Sequence, residues 1–171
     1  MSMNMGCARC RTLHCPVVAP GDSRNLGAHN LLQSAALPYR LGADGTVEVL
    51  LITTRRAGRW NIPKGRIPPG LSLAASAAKE AHEEAGVRGR IAEDAAAFYR
   101  SLKRDKSRQI VIDVVVYLLL VEAEEGDWEE RGQREARWRS ALEAAHLLHE
   151  PALSLLCVSL ANSRRIGSAS R

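Results

Sequence analysis

The sequence predicts one α/β (α+β) domain, a mixed β-sheet sandwiched between helices. Two β-branched runs, Val47 to Thr54 and residues 109–123, lie on either side of an Ala-rich segment punctuated like a helix. Two more helical segments follow. Strands on both sides of a helix, then helices, give a mixed sheet with helical layers. A chain of 171 residues is enough for one domain with a well-formed core.

Residues 1–30 mix Met, Cys, Arg, Gly and Pro without a period, and are expected to be an unstructured leader. From Leu31 to Leu41 the chain is mostly apolar, and Gly42-Ala43-Asp44-Gly45 is turn chemistry. Val47 to Thr54 reads as a strand that can pair with the preceding run as a hairpin. Trp60 to Pro63 is a short edge strand or loop entry, because it ends in Pro. Residues 64–71, with two Gly and two Pro, form a shaped loop. Ser72 to Ala85 is the helix, with Ser72 as N-cap and Gly86 where a terminating glycine belongs. Its Ala74, Ala77, Ala78, Ala81 and Ala85 make a small-residue face for close packing on a sheet. A strand is expected within 91–102, a basic turn at 103–108 and a long strand over 109–123. Ser140 to His149 and Pro151 to Asn162 are helices, the second with Pro in its first turn. The domain is expected to span 31–162, with a loose tail at 163–171.

Composition narrows the function classes. The net charge of +5 favours anionic partners such as phosphorylated metabolites, nucleic acid or anionic lipid. No apolar run is long enough to span a bilayer, and Asp113 interrupts the best one, so no membrane role is expected. Four cysteines are too few for a disulfide scaffold, and residues 1–30 lack a secretory apolar core. The expected location is cytoplasmic. Cys7, Cys10, Cys15 and His14 invite a zinc reading, but their spacing matches no common four-ligand pattern. Cys157, in an apolar stretch, reads as core. His146 and His149 share a helix face, which is weak evidence for a metal.

The chemistry concentrates in Lys79-Glu80-Ala81-His82-Glu83-Glu84. Glu80 and Glu84 lie one helical turn apart on one face, and Glu83 lies beside them. Three like charges within so short a span destabilise an isolated helix. A solvated acidic face is the bland explanation. Against it, Lys79 is the helix's only cation, while Arg55, Arg56, Arg59, Lys64 and Arg66 crowd the loops just upstream. Carboxylates inside a cationic rim suit a hard metal ion that bridges to phosphate oxygens. His82 points away from the Glu80–Glu84 line and reads as a surface residue.

The stretch Gly65 to Val87 resembles the Nudix box. In that pattern a Gly is followed after five residues by Glu, then after seven by Arg-Glu, an apolar residue, any residue, Glu-Glu, any residue, Gly and an apolar residue. Gly65, Glu80, Ala81, Glu83, Glu84, Gly86 and Val87 match. Two positions depart: Leu71 stands at the first Glu and Lys79 at the Arg. Residues 126–144 are similar to the region after the last long strand of diphosphoinositol polyphosphate phosphohydrolases, through Asp127-Trp128-Glu129, Arg137-Trp138 and Glu143-Ala144. The segment Leu50 to Trp60 and the basic turn at 103–108 are similar too.

The resemblance implies attack by water on a phosphorus of a phosphoanhydride, with Glu80, Glu83, Glu84 and the Gly65 carbonyl holding Mg²⁺ (or Mn²⁺). Glu83 or Glu84 would act in catalysis, with Glu83 the expected base and Glu122 or Glu124 the alternatives. Lys64 and Arg66 would lie near the metal. Arg55, Lys103, Arg104, Lys106 and Arg108 would bind further phosphates. The expected partner is therefore a phosphorylated small molecule, such as a diphosphoinositol or diadenosine polyphosphate. Three rival readings stand beside this one. A nucleoside triphosphate or nucleotide sugar keeps the mechanism, although few aromatics are present to stack a base. A non-catalytic module that senses a phosphorylated ligand is supported by Leu71. An RNA-binding protein with a zinc leader ranks last, since no nucleic-acid motif is visible. Oligomeric state is left open.

Overall fold

The structure, a computed structural model, describes residues 31–105 and 108–163, with the backbone alone at 103–105 and 108. The element order is β1 (Leu31–Leu41), β2 (Val47–Thr53), β3 (Trp60–Asn61), β4 (Lys64–Arg66), α1 (Leu73–Ala85), β5 (Val87–Ile91), β6 (Ala97–Asp105), β7 (Arg108–Glu124), β8 (Ala136–Ser140), α2 (Ala141–Leu147) and α3 (Pro151–Ser163). One sheet holds all the strands. Its path runs β3-β2-β1-β7-β5, with β4 on β1, β6 on β7 and β8 on β2. The β1–β7 pair is parallel and the other pairs are antiparallel, so the sheet is mixed.

Alternation along the strands builds two cores. Ala35 and Leu37 of β1, Val49 and Leu51 of β2 and Val114 and Val116 of β7 face α2 and α3, packing with Ala144, Leu153, Leu156 and Cys157. Ala36, Leu50, Ile52, Tyr117 and Leu119 face the other way, onto Ala77, Ala81 and Ala85 of α1. Alanines on that face bring the helix axis close to the sheet, as the small-residue stripe predicts. The helices thus sandwich the sheet. Asp113 sits on the α1 side of β7, only 1% exposed. Such a charge needs a partner, and Arg100 on β6 supplies a two-pronged one at 2.7 and 3.1 Å.

Several elements differ from the sequence reading. The shaped loop at 64–71 begins as a strand, because Lys64–Arg66 pairs with Ala35–Gln33 of β1. The strand expected within 91–102 is β6, and a further short strand that was not expected, β5, precedes it at Val87–Ile91. The basic turn at 103–108 is mostly strand: β6 runs to Asp105 and β7 starts at Arg108. Pairing with the apolar part of β7 carries these charged residues into the ladder, which overrides their turn propensity. The short strand β8 was not foreseen. It is charged, and it exists because β2 offers a free edge to it over Glu48–Ile52. α2 begins one residue later than expected, with Ser140 as N-cap in a reciprocal capping box with Glu143. The leader at 1–30 with its cysteines, Lys106 and the tail from 164 fall outside the described residues.

Candidate metal and phosphate site

The site is built where α1 leans on β4. Ser72 caps the helix, accepting a hydrogen bond from the Ala75 N–H at 3.1 Å. Ser34 of β1 anchors the first turn by donating to the Leu73 carbonyl at 2.6 Å. Gly86 ends the helix in the left-handed region, φ 66°, where a side chain is costly. The segment between β7 and β8 then folds over this end. The Trp128 ring lies where a Gly86 Cβ would be, at 2.6 Å. The Glu130 N–H donates to the Glu83 carbonyl at 3.1 Å, satisfying a carbonyl of the last turn.

Gly65 and Glu80 are in intimate contact. A Cβ on Gly65 would stand 2.0 Å from Oε1 of Glu80. Glycine is therefore required for space alone: it leaves a cradle for the carboxylate. Burial, then the charges of Glu84 and Glu83, push the Glu80 carboxyl up to about 7. Glu84 is 8% exposed. Its Oε2 accepts the Lys64 N–H at 3.1 Å, and its Oε1 accepts from the guanidinium of Arg134. Glu83 pairs with Lys79 one turn back. Arg134 also holds Glu130 at 2.7 Å, and Glu130 in turn pairs with Arg55.

The structure thus brings together Gly65, Lys64, Glu80, Glu83 and Glu84, and links Arg55 to them through Glu130 and Arg134. Arg66 is exposed at the end of β4. The backbones of Lys103, Arg104 and Arg108 lie in the β6–β7 hairpin. Among the described residues β7 begins before its first pair with β1, Leu31 with Ile112, so these backbones lie toward the end of the sheet where β4 finishes. Glu122 and Glu124 are engaged elsewhere, Glu122 by Arg90 at 2.7 Å and Glu124 by Arg40 at 2.6 Å and the Trp138 indole at 3.1 Å. His82 turns to Glu125 at 2.7 Å, away from the glutamates. Cys157 is fully buried, and burial pushes its thiol up to about 12.

Sequence reading missed Glu130 and Arg134. Both sit in the charge-rich stretch Glu129 to Arg139, where spacing distinguishes no member. Only the fold-over of that segment onto α1 singles them out.

The donor set fits a divalent cation in chemistry. It offers hard carboxylate oxygens, the choice of Mg²⁺ and Mn²⁺. Glu80 crowded by two like charges is an arrangement that a cation would relieve. Among the described residues, no three acidic, histidine or cysteine side chains already converge as a coordination sphere. Glu83 and Glu84 are instead turned to Lys79 and Arg134.

Comparison with known proteins gives the family. The model of the NUDIX domain matches residues 32–156. Nudix hydrolase 13, mitochondrial, of Arabidopsis thaliana is 30% identical over a match covering 68% of this chain and 66% of its own. Nudix hydrolase 21, chloroplastic, of the same plant is 32% identical, covering 64% of this chain and 54% of its own. The chain therefore spans less than two thirds of these relatives' length. Among solved structures, C. elegans Ap4A hydrolase superposes with a TM-score of 0.55 at 20% identity, covering 76% of this chain and 95% of that one. The NUDIX domain of Shewanella oneidensis NrtR, in complex with ADP ribose, gives 0.56 at 18% identity, covering 85% and 93%. At such identities these likenesses speak for the fold. No described helix is long and apolar enough to cross a membrane. With the domain model covering most of the chain, and with Glu80 of the box helix seated against Gly65, the chain belongs to the Nudix family.

Proposed function

We propose that the chain hydrolyses a phosphoanhydride bond in a highly phosphorylated small molecule, with Mg²⁺ or Mn²⁺ as cofactor. The observation that carries this reading is Glu80, seated in the Gly65 cradle and raised to about 7 by burial and by Glu84 and Glu83. Glu80, Glu83, Glu84 and the Gly65 carbonyl would hold the cation. When bound, it neutralises phosphate oxygens and makes water a better nucleophile at neutral pH. The chain's own groups do the rest. Lys64 and Arg66 flank Gly65 and orient the phosphate that carries the scissile bond. Arg55 binds beside Glu130. Lys103, Arg104 and Arg108, whose backbones lie at the same end of the sheet, would supply further cations for a substrate with several phosphates. Glu83, which pairs with the exposed Lys79, would serve as the base where it does not ligate the cation.

The substrate class is a diphosphoinositol polyphosphate or a diadenosine polyphosphate. The structural likeness to C. elegans Ap4A hydrolase supports the second. The similarity of residues 126–144 to diphosphoinositol polyphosphate phosphohydrolases supports the first. A panel of both, with nucleoside triphosphates and ADP-ribose, in Mg²⁺ and in chelator, tests the reading. Metal-dependent turnover of the polyphosphorylated substrates supports it. Turnover of nucleoside triphosphates alone would reassign the substrate.

A second reading has its own support. Leu71 replaces a box glutamate, and Lys79 and Arg134 already neutralise Glu83 and Glu84. These features favour a module that senses a phosphorylated ligand. Glu84→Gln separates the two: an enzyme loses turnover by about 10²-fold or more, whereas a sensor keeps its ligand affinity.

A further inference from the structure

Glu84 is a carboxylate buried within a helix, and such a group is retained only with partners. It has one for each oxygen: the Lys64 N–H and the Arg134 guanidinium. Arg134 is itself nearly buried, with its side chain 13% exposed. It is gripped on three sides, by Glu84, by Glu130 at 2.7 Å and by the Thr53 carbonyl at 3.3 Å. Three directed bonds to a planar five-donor fork leave it one orientation. Glu130 is fixed as well, its N–H on the Glu83 carbonyl and its carboxylate shared with Arg55. A rigid cation thus reaches the box helix from the segment between β7 and β8, outside the box itself. Within the box, the arginine position holds Lys79, which pairs with Glu83 instead of Glu84.

We propose that Arg134 is the positioning residue for Glu84, reaching it from outside the box. The proposal rests on the reading of Glu84 as a metal ligand. A carboxylate oxygen has two lone pairs, so each Glu84 oxygen keeps one for a cation while its present partner fixes the group. The rival role is simple charge compensation. It predicts the opposite sign for Arg134→Ala, because removing a positive charge next to a metal site makes the site more negative and tightens cation binding, and no change for Arg134→Lys, which keeps the charge. The direction of the change in metal affinity therefore separates positioning from compensation.

The experiment is a Mn²⁺ titration, by calorimetry and by the Mn²⁺ paramagnetic resonance signal, of the full chain, Glu84→Gln, Arg134→Lys and Arg134→Ala. Arg134→Ala strands a buried carboxylate and risks the fold. Arg134→Lys keeps the charge but cannot make three directed bonds, so it carries the test, with its melting temperature as control. Positioning predicts Mn²⁺ affinity about 10-fold weaker in Arg134→Lys, with kcat falling in step and KM little changed. Unchanged or tighter Mn²⁺ binding in Arg134→Lys, while Glu84→Gln binds weakly, overturns the proposal and leaves the metal site standing. Equal binding by the full chain and Glu84→Gln overturns the metal assignment itself, and the proposal with it.

Discussion

Replacing Glu80 with Gln separates the cost of the Glu80 charge from its use. The carboxyl sits at about 7 in the folded chain, against an ordinary 4.5. At 1.36 kcal/mol per pH unit that gap corresponds to about 3 kcal/mol. Glu80 is only half-buried, and solvent screening brings the figure down to about 1–2 kcal/mol. The sign follows from proton binding. Between pH 4.5 and 7 the folded chain holds the Glu80 proton and the unfolded chain has released it, so stability falls as pH rises through this window. Above it the penalty is complete. Gln mimics the protonated acid at every pH. In chelator, Glu80→Gln should match the wild type near pH 4.5 and melt about 2–8 °C higher at pH 8, at 2–4 °C per kcal/mol for a chain of this size. Added Mg²⁺ should raise the wild-type melting temperature at pH 8 and leave the variant's almost unmoved. Differential scanning calorimetry across pH reads both effects. An identical fall of stability with pH in the two proteins would refute the argument, since the penalty would then belong to other groups.

Other outcomes follow from the same geometry. Gly65→Ala should keep the fold, because the clashing atoms are the far end of the Glu80 side chain, yet displace that carboxylate and lower kcat by about 10²-fold in a Mg²⁺ assay. Gly89→Ala should be a stability lesion instead: its Cβ would stand 1.9 Å from the Leu120 carbonyl oxygen, at the irregular step of the β5–β7 pairing. A loss of about 3 kcal/mol in urea unfolding is expected, with the chemistry of the surviving folded fraction intact. Cys157, buried and raised to about 12, should resist alkylation in the native protein and react after denaturation, as peptide mass spectrometry would show. Cys157→Ser should cost about 1–3 kcal/mol by burying a hydroxyl in an apolar core.

The box helix was legible because its signals are local. A capping serine, an alanine stripe at helical spacing, glutamates one turn apart and a terminating glycine all act within one or two turns, and α1 runs from Leu73 to Ala85 between Ser72 and Gly86 as those signals require. The long apolar strand was legible for the same reason, since β-branched residues at alternate positions need only a sheet to sit in. Strands that exist by courtesy of a neighbour were not legible. β8 is a charged stretch that the open edge of β2 recruits, and β4 is three residues of a loop that β1 pairs with.

The same division runs through the site. Sequence alone determined the three glutamates, the glycine before them and the cationic surroundings, because spacing on one helix sets which side chains share a face. Tertiary structure decided how that charge is shared. It seated Glu80 against Gly65, gave Glu83 to Lys79 and gave Glu84 to Arg134, a residue fifty positions away in sequence. It also turned Glu122 and Glu124 to other partners. The physical reason is range. Helix periodicity and capping act over a few residues, whereas the partner of a buried charge is whichever group the packing of distant segments brings within hydrogen-bond reach.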